Sequence, residues 1–306
     1  MVSDGTEPLA FSVMIEFSGC SVDIRNAAPE RGPVILDAEL EMGVVAVTEQ
    51  GYPARTPSVT ARFWDITFTR GRDLNGAALL VEKGVGVMAF GRSKAKCDAA
   101  LELLRPLVPV GGAFVALECD VLDREAVQEA CSKYSGHIDY LVCAATGGER
   151  AMGPFLDMDL DGFQGSFAKL WGYANCVKSC VPHMKADGSV VLVSGTPAKR
   201  YRSGQIALSC VGGAVENMTK ALANELAPRR INCVSPGVID TPMFSKLGDA
   251  KDEKLAAMTA GNPIARPGEA EEVAAAVVFA LENAYMTGAV LEIDGGLVVA
   301  PPAVAP

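Results

Sequence analysis

The stretch that decides the fold runs from Ser189 to Met243: SVVLV (189–193), SGTPAKRYRSGQIALSCVGGAVENMTKALANELAP (194–228) and, after Arg229, RINCVSPGVIDTPM (230–243). Val190–Val193 and Ile231–Val234 are short, nearly continuous apolar runs, as strands buried on both faces of a sheet require. Between them, Gly213–Leu226 has the length and amphipathic pattern of a helix. Strand, helix and strand in this order point to a parallel sheet covered by helices.

The alternation extends outward from this unit. From about Leu74, further strands are expected at Val85–Phe90, Ala113–Leu117, Tyr140–Cys143 and Val290–Ile293. Helices are expected at Lys94–Leu104, Arg124–Lys133, Phe163–Met184 and Glu269–Glu282. The pattern predicts a three-layer α/β domain over residues 62–299, with an irregular Pro/Ala tail over 300–306. Residues 1–61 differ: Pro, Gly and acids interrupt short apolar pieces and no helix of useful length shows. They read either as an irregular extension holding a strand or two, or as residues foreign to the fold.

Composition narrows the function classes. A formal charge of −10 argues against a broad nucleic-acid interface, which needs clustered Lys and Arg. No apolar run approaches the length of a membrane span. Nine cysteines fall mostly in apolar segments without CxxC pairs, and so read as reduced, buried residues of a cytoplasmic protein. With only His137 and His183 as histidines, no metal site is expected.

Ser235-Pro-Gly-Val-Ile-Asp-Thr-Pro242, Arg266-Pro-Gly-Glu-Ala-Glu-Glu-Val273 and Tyr285 to Gly296 together resemble the second half of a short-chain dehydrogenase/reductase. The resemblance covers about the last three quarters of the chain. It implies a Rossmann-type doubly wound parallel sheet, a nicotinamide cofactor, a small-molecule substrate and a homodimer or homotetramer. It also implies that backbone around Pro236, Gly237 and Val238 meets the nicotinamide carboxamide and that Thr241 reaches the cofactor.

The rest of the implied cofactor site is uneven. The family's TGxxxGxG turn corresponds to Phe63–Gly76, where Gly71 can serve as the middle glycine while Asp73 replaces the last. The spacing from Gly71 to Gly84 predicts the first strand between Arg62 and Thr69, with the more apolar Gly43–Val47 as its rival. After the second strand come Arg92 and Ser93, with no acid where members preferring NAD place one; Arg92 suits a 2′-phosphate, and NADP(H) is the expected cofactor. Asp120 and Val121 resemble the adenine-contacting end of the third strand, although Asp123 is the better helix cap. Ala144 stands in the Cys143–Thr146 stretch where the family has Asn-Asn-Ala-Gly, so backbone passes close to the cofactor there.

The reaction centre departs from the family pattern. Aligning on Thr219 and the run Ala221 to Leu226 puts Gly195, Leu208 and Gly212 where the family's Ser, Tyr and Lys carry proton transfer. Lys169, in Ala-Lys-Leu-Trp-Gly172, takes the place of the family's helix Asn, and with the Ser194-Gly195 strand end resembles an atypical branch lacking YxxxK. Leu170 and Trp171 are expected to face inward with it. The substitute catalytic candidates are Lys169, Tyr201 and Ser194, with Thr196 beside them; Lys169 is expected to fill the space left by Gly212 and Leu208, where its ammonium takes over the family lysine's contact with the nicotinamide ribose. These residues imply an oxidoreductase acting on a carbonyl, alcohol or activated alkene. The alternative is a noncatalytic dinucleotide-binding or oligomer-partner protein.

Overall fold

The computed structural model describes residues 42–48, 86–108, 114–133, 138–145 and 150–300. These all lie in one compact unit, Ala38–Pro306. Along the chain come β1 (Met42–Thr48), β2 (Gly86–Gly91), α1 (Lys94–Leu104), β3 (Phe114–Glu118), α2 (Arg124–Ser132) and β4 (Ile138–Cys143). They are followed by α3 (Leu160–Gly165), α4 (Ala168–Cys180), β5 (Met184–Val193), α5 (Ile206–Glu225) and β6 (Arg230–Pro236). The chain continues through α6 (Lys251–Thr259), α7 (Ala270–Glu282) and β7 (Val290–Ile293). The strands form a single sheet in the order β3-β2-β1-β4-β5-β6-β7, the doubly wound order of a Rossmann-type fold.

Strands β2, β4, β5 and β6 each feed two cores. In β2, Val87 and Ala89 join the cluster with α1 and α7, while Met88 and Phe90 join the cluster with α2, α4 and α5. Val191 and Val234 point to the first face; Val190, Leu192, Ile231 and Cys233 point to the second. Burial on both sides explains why these strands read as unbroken apolar runs rather than alternating ones.

Boundaries moved where helix ends are set by tertiary contacts. The segment expected as one helix over Phe163–Met184 is split into α3 and α4, with Asp159 capping α3 through bonds from Asp161 N and Gly162 N. Asp123 caps α2 by accepting from Ala126 N at 3.0 Å. α5 begins at Ile206, seven residues ahead of the expected Gly213, so Leu208 and Gly212 lie on one helix.

Two expectations are overturned. The central strand is Met42–Thr48, within the segment expected to be irregular, and its run Val44-Val-Ala-Val47 supplies the β propensity. The segment Arg62–Thr69, the site expected for it, lies outside the described residues, as do Gly71 and Asp73. β1 is antiparallel to both neighbours, pairing Met42 with Gly91 and Thr48 with Gly86, whereas the other strands are mutually parallel. The chain therefore enters β1 at the sheet edge where its neighbours end. Second, Cys131 and Cys180 form a disulfide, so the thiols are not all reduced. Side-by-side packing of α2 and α4 brings this pair together across 49 residues, a proximity that spacing cannot reveal.

Among the described residues, no helix is long and apolar enough to cross a membrane, and no group of three His, Cys, Asp or Glu is placed to hold a metal ion.

Candidate active site

The carboxyl ends of β4, β5 and β6 converge at one edge of the sheet, and α4 and α5 lean over them. α4 is fixed there by three side chains. Asn175 donates to the Val121 carbonyl at 3.0 Å, and the buried Tyr173 hydroxyl donates to the Val193 carbonyl at 3.2 Å. One turn before Tyr173, Lys169 Nζ donates to the Ser194 carbonyl at 3.3 Å and lies 5.6 Å from the Tyr173 ring centroid. Gly172 permits this close seat, since a Cβ there would come within 2.7 Å of Val121 Cγ2.

Helix periodicity decides what α4 shows to the sheet. Lys169 and Tyr173, four residues apart, share the inward face. Trp171, midway between them, is turned out and 63% exposed, contrary to the inward setting expected of it.

At the end of β5, Ser194 N donates to the Val234 carbonyl at 2.8 Å, which carries the sheet ladder into the site. Ser194 Oγ is buried and lies 3.2 Å from both the Gly212 carbonyl and Glu216 Oε1, so one hydroxyl proton serves two acceptors. Glu216 Oε2 is 3.7 Å from Lys199 Nζ, and Lys199 also hydrogen-bonds Glu292 on β7. Burial opposes charge on Lys199, but the hydrogen bond to Glu292 and the charges of Glu216 and Glu292 prevail, and its pKa is raised. Burial first, then the charge of Glu216, pushes the neighbouring Cys233 thiol up to about 12, so it is no nucleophile at neutral pH.

The space expected beside Gly212 is filled. A Cβ there would meet Ala198 Cβ at 3.0 Å and Ser194 Oγ at 3.4 Å, because the short turn Thr196–Ala198 packs directly on α5. Lys169 therefore reaches the Ser194 carbonyl instead of occupying a void at Gly212. Leu208 and Gly212 still line the same cleft of about 170 Å3, with Lys169, Ser194, Thr196 and Ala144 on its other walls.

The β6 end completes the cleft with Pro236, Gly237 and Val238. Gly237 must be glycine: a Cβ would fall 2.7 Å from Asp294 Cα, and its N–H donates to the Ile293 carbonyl at 2.9 Å. Thr241 follows, 6% exposed, with its buried Oγ1 lacking any hydrogen-bond partner. An unsatisfied hydroxyl in such a place costs free energy unless a ligand completes it.

Residues 74–298 match the family model described as Enoyl-(Acyl carrier protein) reductase. The chain belongs to the short-chain dehydrogenase/reductase family. It is 32% identical over 240 residues to carbonyl reductase family member 4 of Danio rerio, covering 76% of this chain and 96% of that protein. Among solved structures, a small-chain dehydrogenase in complex with NADPH is 28% identical with a TM-score of 0.59, covering 65% of this chain and 93% of its own. An NADPH-bound short chain oxidoreductase from Pseudomonas aeruginosa PAO1, described as containing an atypical catalytic center, is 26% identical with a TM-score of 0.68. That match covers 74% of this chain and 92% of the Pseudomonas protein.

Within this short-chain dehydrogenase/reductase, the remaining site candidates lie elsewhere along the same edge. Arg92 is exposed at the end of β2, and Ser93 begins α1 through its carbonyl, which accepts from Cys97 N at 3.1 Å. Asp120 closes a turn by accepting from Leu122 N at 2.9 Å, and Val121 is buried beneath α4. Tyr201 is 76% exposed and is not in the wall of the cleft. The sequence reading missed Glu216, although an acid one turn after Gly212 on the same helix face was a usable signal. It also missed Arg150, which lines the cleft.

Proposed function

We propose that this protein is an NADP(H)-dependent oxidoreductase that reduces a carbonyl or activated alkene, or oxidises the corresponding alcohol, without the family's Ser-Tyr-Lys set. The contact of Lys169 Nζ with the Ser194 carbonyl, inside the cleft and opposite Leu208 and Gly212, carries this reading. Leu208 has no proton to give and Gly212 no ammonium, so the role of acid is assigned to Lys169, which lines the same cleft.

The residues fit a nicotinamide dinucleotide. The unpartnered Thr241 Oγ1 and the backbone at Val238 suit the carboxamide, and Arg92 suits a 2′-phosphate. The NADPH named with two related structures supports the phosphorylated form. Bound NADPH would supply the hydride. Lys169 Nζ would give a proton to the carbonyl oxygen of the substrate. Lys169 then recovers a proton from water. Ser194, held by Gly212 and Glu216, fixes the carbonyl against which Lys169 is aimed, and is a positioning residue. Tyr201 has no part in this scheme, because its hydroxyl stands at the surface.

The experiment is NADPH oxidation with a panel of ketones, aldehydes and enones, together with fluorescence titration of NADPH and NADH. Turnover that falls roughly 100-fold or more in Lys169→Met supports the assignment. The noncatalytic reading draws on the loss of the hydroxyl at Leu208; tight NADPH binding with no turnover of any substrate would favour it. Assembly as a homodimer or homotetramer belongs to the same proposal and is read by light scattering.

A further inference from the structure

Glu216 is a carboxylate in an unfavourable place. The residue sits on α5, is 6% exposed and is not in the wall of the cleft. Burying a carboxylate with its cation is costly enough that an apolar pair of similar volume is often as stable or more so. Stability alone therefore gives no reason for an acid here. Its partners do: Oε1 accepts from Ser194 Oγ at 3.2 Å, and Oε2 faces Lys199 Nζ at 3.7 Å.

Ser194 and Lys199 are the two ends of one turn. Between them, Ala198 N donates to the Gly195 carbonyl at 3.0 Å and Lys199 N to the Thr196 carbonyl at 2.9 Å, bonds that shape the turn but do not seat it on α5. A single carboxylate holds both ends and draws the turn onto the helix, where Ser194 Oγ also reaches the Gly212 carbonyl. Gly195, Thr196 and Pro197, enclosed by this staple, line the cleft. Lys199 is in turn anchored by Glu292 on β7. After burial, the Cys233 thiol on β6 is pushed up by the charge of Glu216 and drawn down by that of Lys169, so carboxylate and ammonium act on the same part of the core.

We infer that Glu216 is a positioning residue for the reaction: by fixing both ends of the Ser194–Lys199 turn it sets the Ser194 carbonyl, and with it Lys169 Nζ, against the substrate. This rests on the oxidoreductase reading above and adds to it a residue that acts from outside the cleft wall. Proton transfer is sensitive to such support, since a displacement of about 1 Å can cost roughly 100-fold in rate. Lys169 Nζ meets the Ser194 carbonyl at 3.3 Å, so a turn that drifts from α5 carries the ammonium's acceptor away with it.

The test replaces the buried pair by apolar residues in the full chain, Glu216→Leu together with Lys199→Met, and follows kcat, NADPH affinity by fluorescence and urea unfolding. The unfolding midpoint should stay at or above that of wild type. Turnover should nevertheless fall roughly tenfold or more with NADPH affinity kept, whereas a merely structural pair would move activity and stability together. Ser194→Ala should lose as much, and adding it to the double variant should lose no more. A kcat within about twofold of wild type in the folded double variant, or losses that add, would overturn the inference. Should that variant not fold, Glu216→Gln with Lys199→Met takes its place; a smaller loss is expected because Gln still accepts from Ser194, and wild-type turnover would overturn the inference. If the wild type reduces nothing, NMR of 13Cε-labelled lysine reads the clamp without substrate, with the Lys169 signal assigned by its loss in Lys169→Met. A Lys169 signal that moves both in the double variant and in Ser194→Ala, which keeps the Glu216 charge, would leave the clamp standing and defeat only the reductase. A signal unmoved in either would defeat the clamp.

Discussion

The two ends of the sheet edge are built by different means. At the β2–β3 end, Asp120 and Ser93 satisfy neighbours two to four residues away, and the local chain dictates their positions. At the β5–β6 end, Lys169 reaches Ser194 across 25 residues, Ser194 reaches Glu216 across 22, and Lys199 reaches Glu292 across 93. The first end is held together by contacts within single turns. The second keeps its chemistry only while four elements stay in register, so substitutions there should be felt over a wider area.

The sharpest contrast should come from Lys169→Met beside Arg92→Met. The lysine change is expected to lower turnover roughly 100-fold or more with NADPH affinity largely kept, read by steady-state kinetics and fluorescence titration. Arg92→Met should instead weaken NADPH roughly tenfold and leave NADH unchanged. Loss of both cofactors together in Arg92→Met would erase the distinction between the two ends.

Stability offers a second contrast. Lys199→Met leaves the buried Glu216 with only the Ser194 hydroxyl among its hydrogen-bond partners named above, and should cost about 1–3 kcal/mol in urea unfolding. Glu216→Gln in the same background should recover part of that loss. Because the Lys199 pKa is raised, the charged amine favours the fold below the ordinary lysine range. That contribution fades as pH rises through the raised value.

The smallest effect belongs to Arg266 and Glu272. Arg266 grips Glu272 through two bonds of 2.9 and 2.7 Å, and Glu272 also accepts from Glu269 N at 2.7 Å in a capping box. The hydrogen bond from Arg266, foremost, holds the Glu272 carboxyl below its ordinary pKa although burial works the other way. Its contribution is present above the usual carboxylate range and disappears as pH falls through the depressed value. Both side chains are about half exposed, so Arg266→Met should shift neutral-pH stability by about 1 kcal/mol or less. A melting series against pH should show that difference vanish in acid.

How much of this was legible in the sequence follows the same divide. Strands such as Val190–Val193 announce themselves because burial on both faces demands unbroken apolar residues, and the Ser235–Thr241 turn needs a glycine wherever Asp294 packs so close. The direction of β1 was not legible. A period-two pattern is the same read either way, and only its partners, Gly91 at one end and Gly86 at the other, fix its sense. Nor could local pattern disclose that Ala198 fills the place beside Gly212, since the two meet only once the Thr196–Ala198 turn folds onto α5. Glu216 lay in plain view, yet its importance depends on Ser194 and Lys199 arriving from another element.

The Ala300 carbonyl that holds Arg200 ties the Gly296–Ala300 turn to the mouth of the cleft. A substitution that displaces that turn would act on the cleft before it acted on the core. Preparations that melt alike could then differ in specific activity, and the cause would lie 100 residues from the arginine affected.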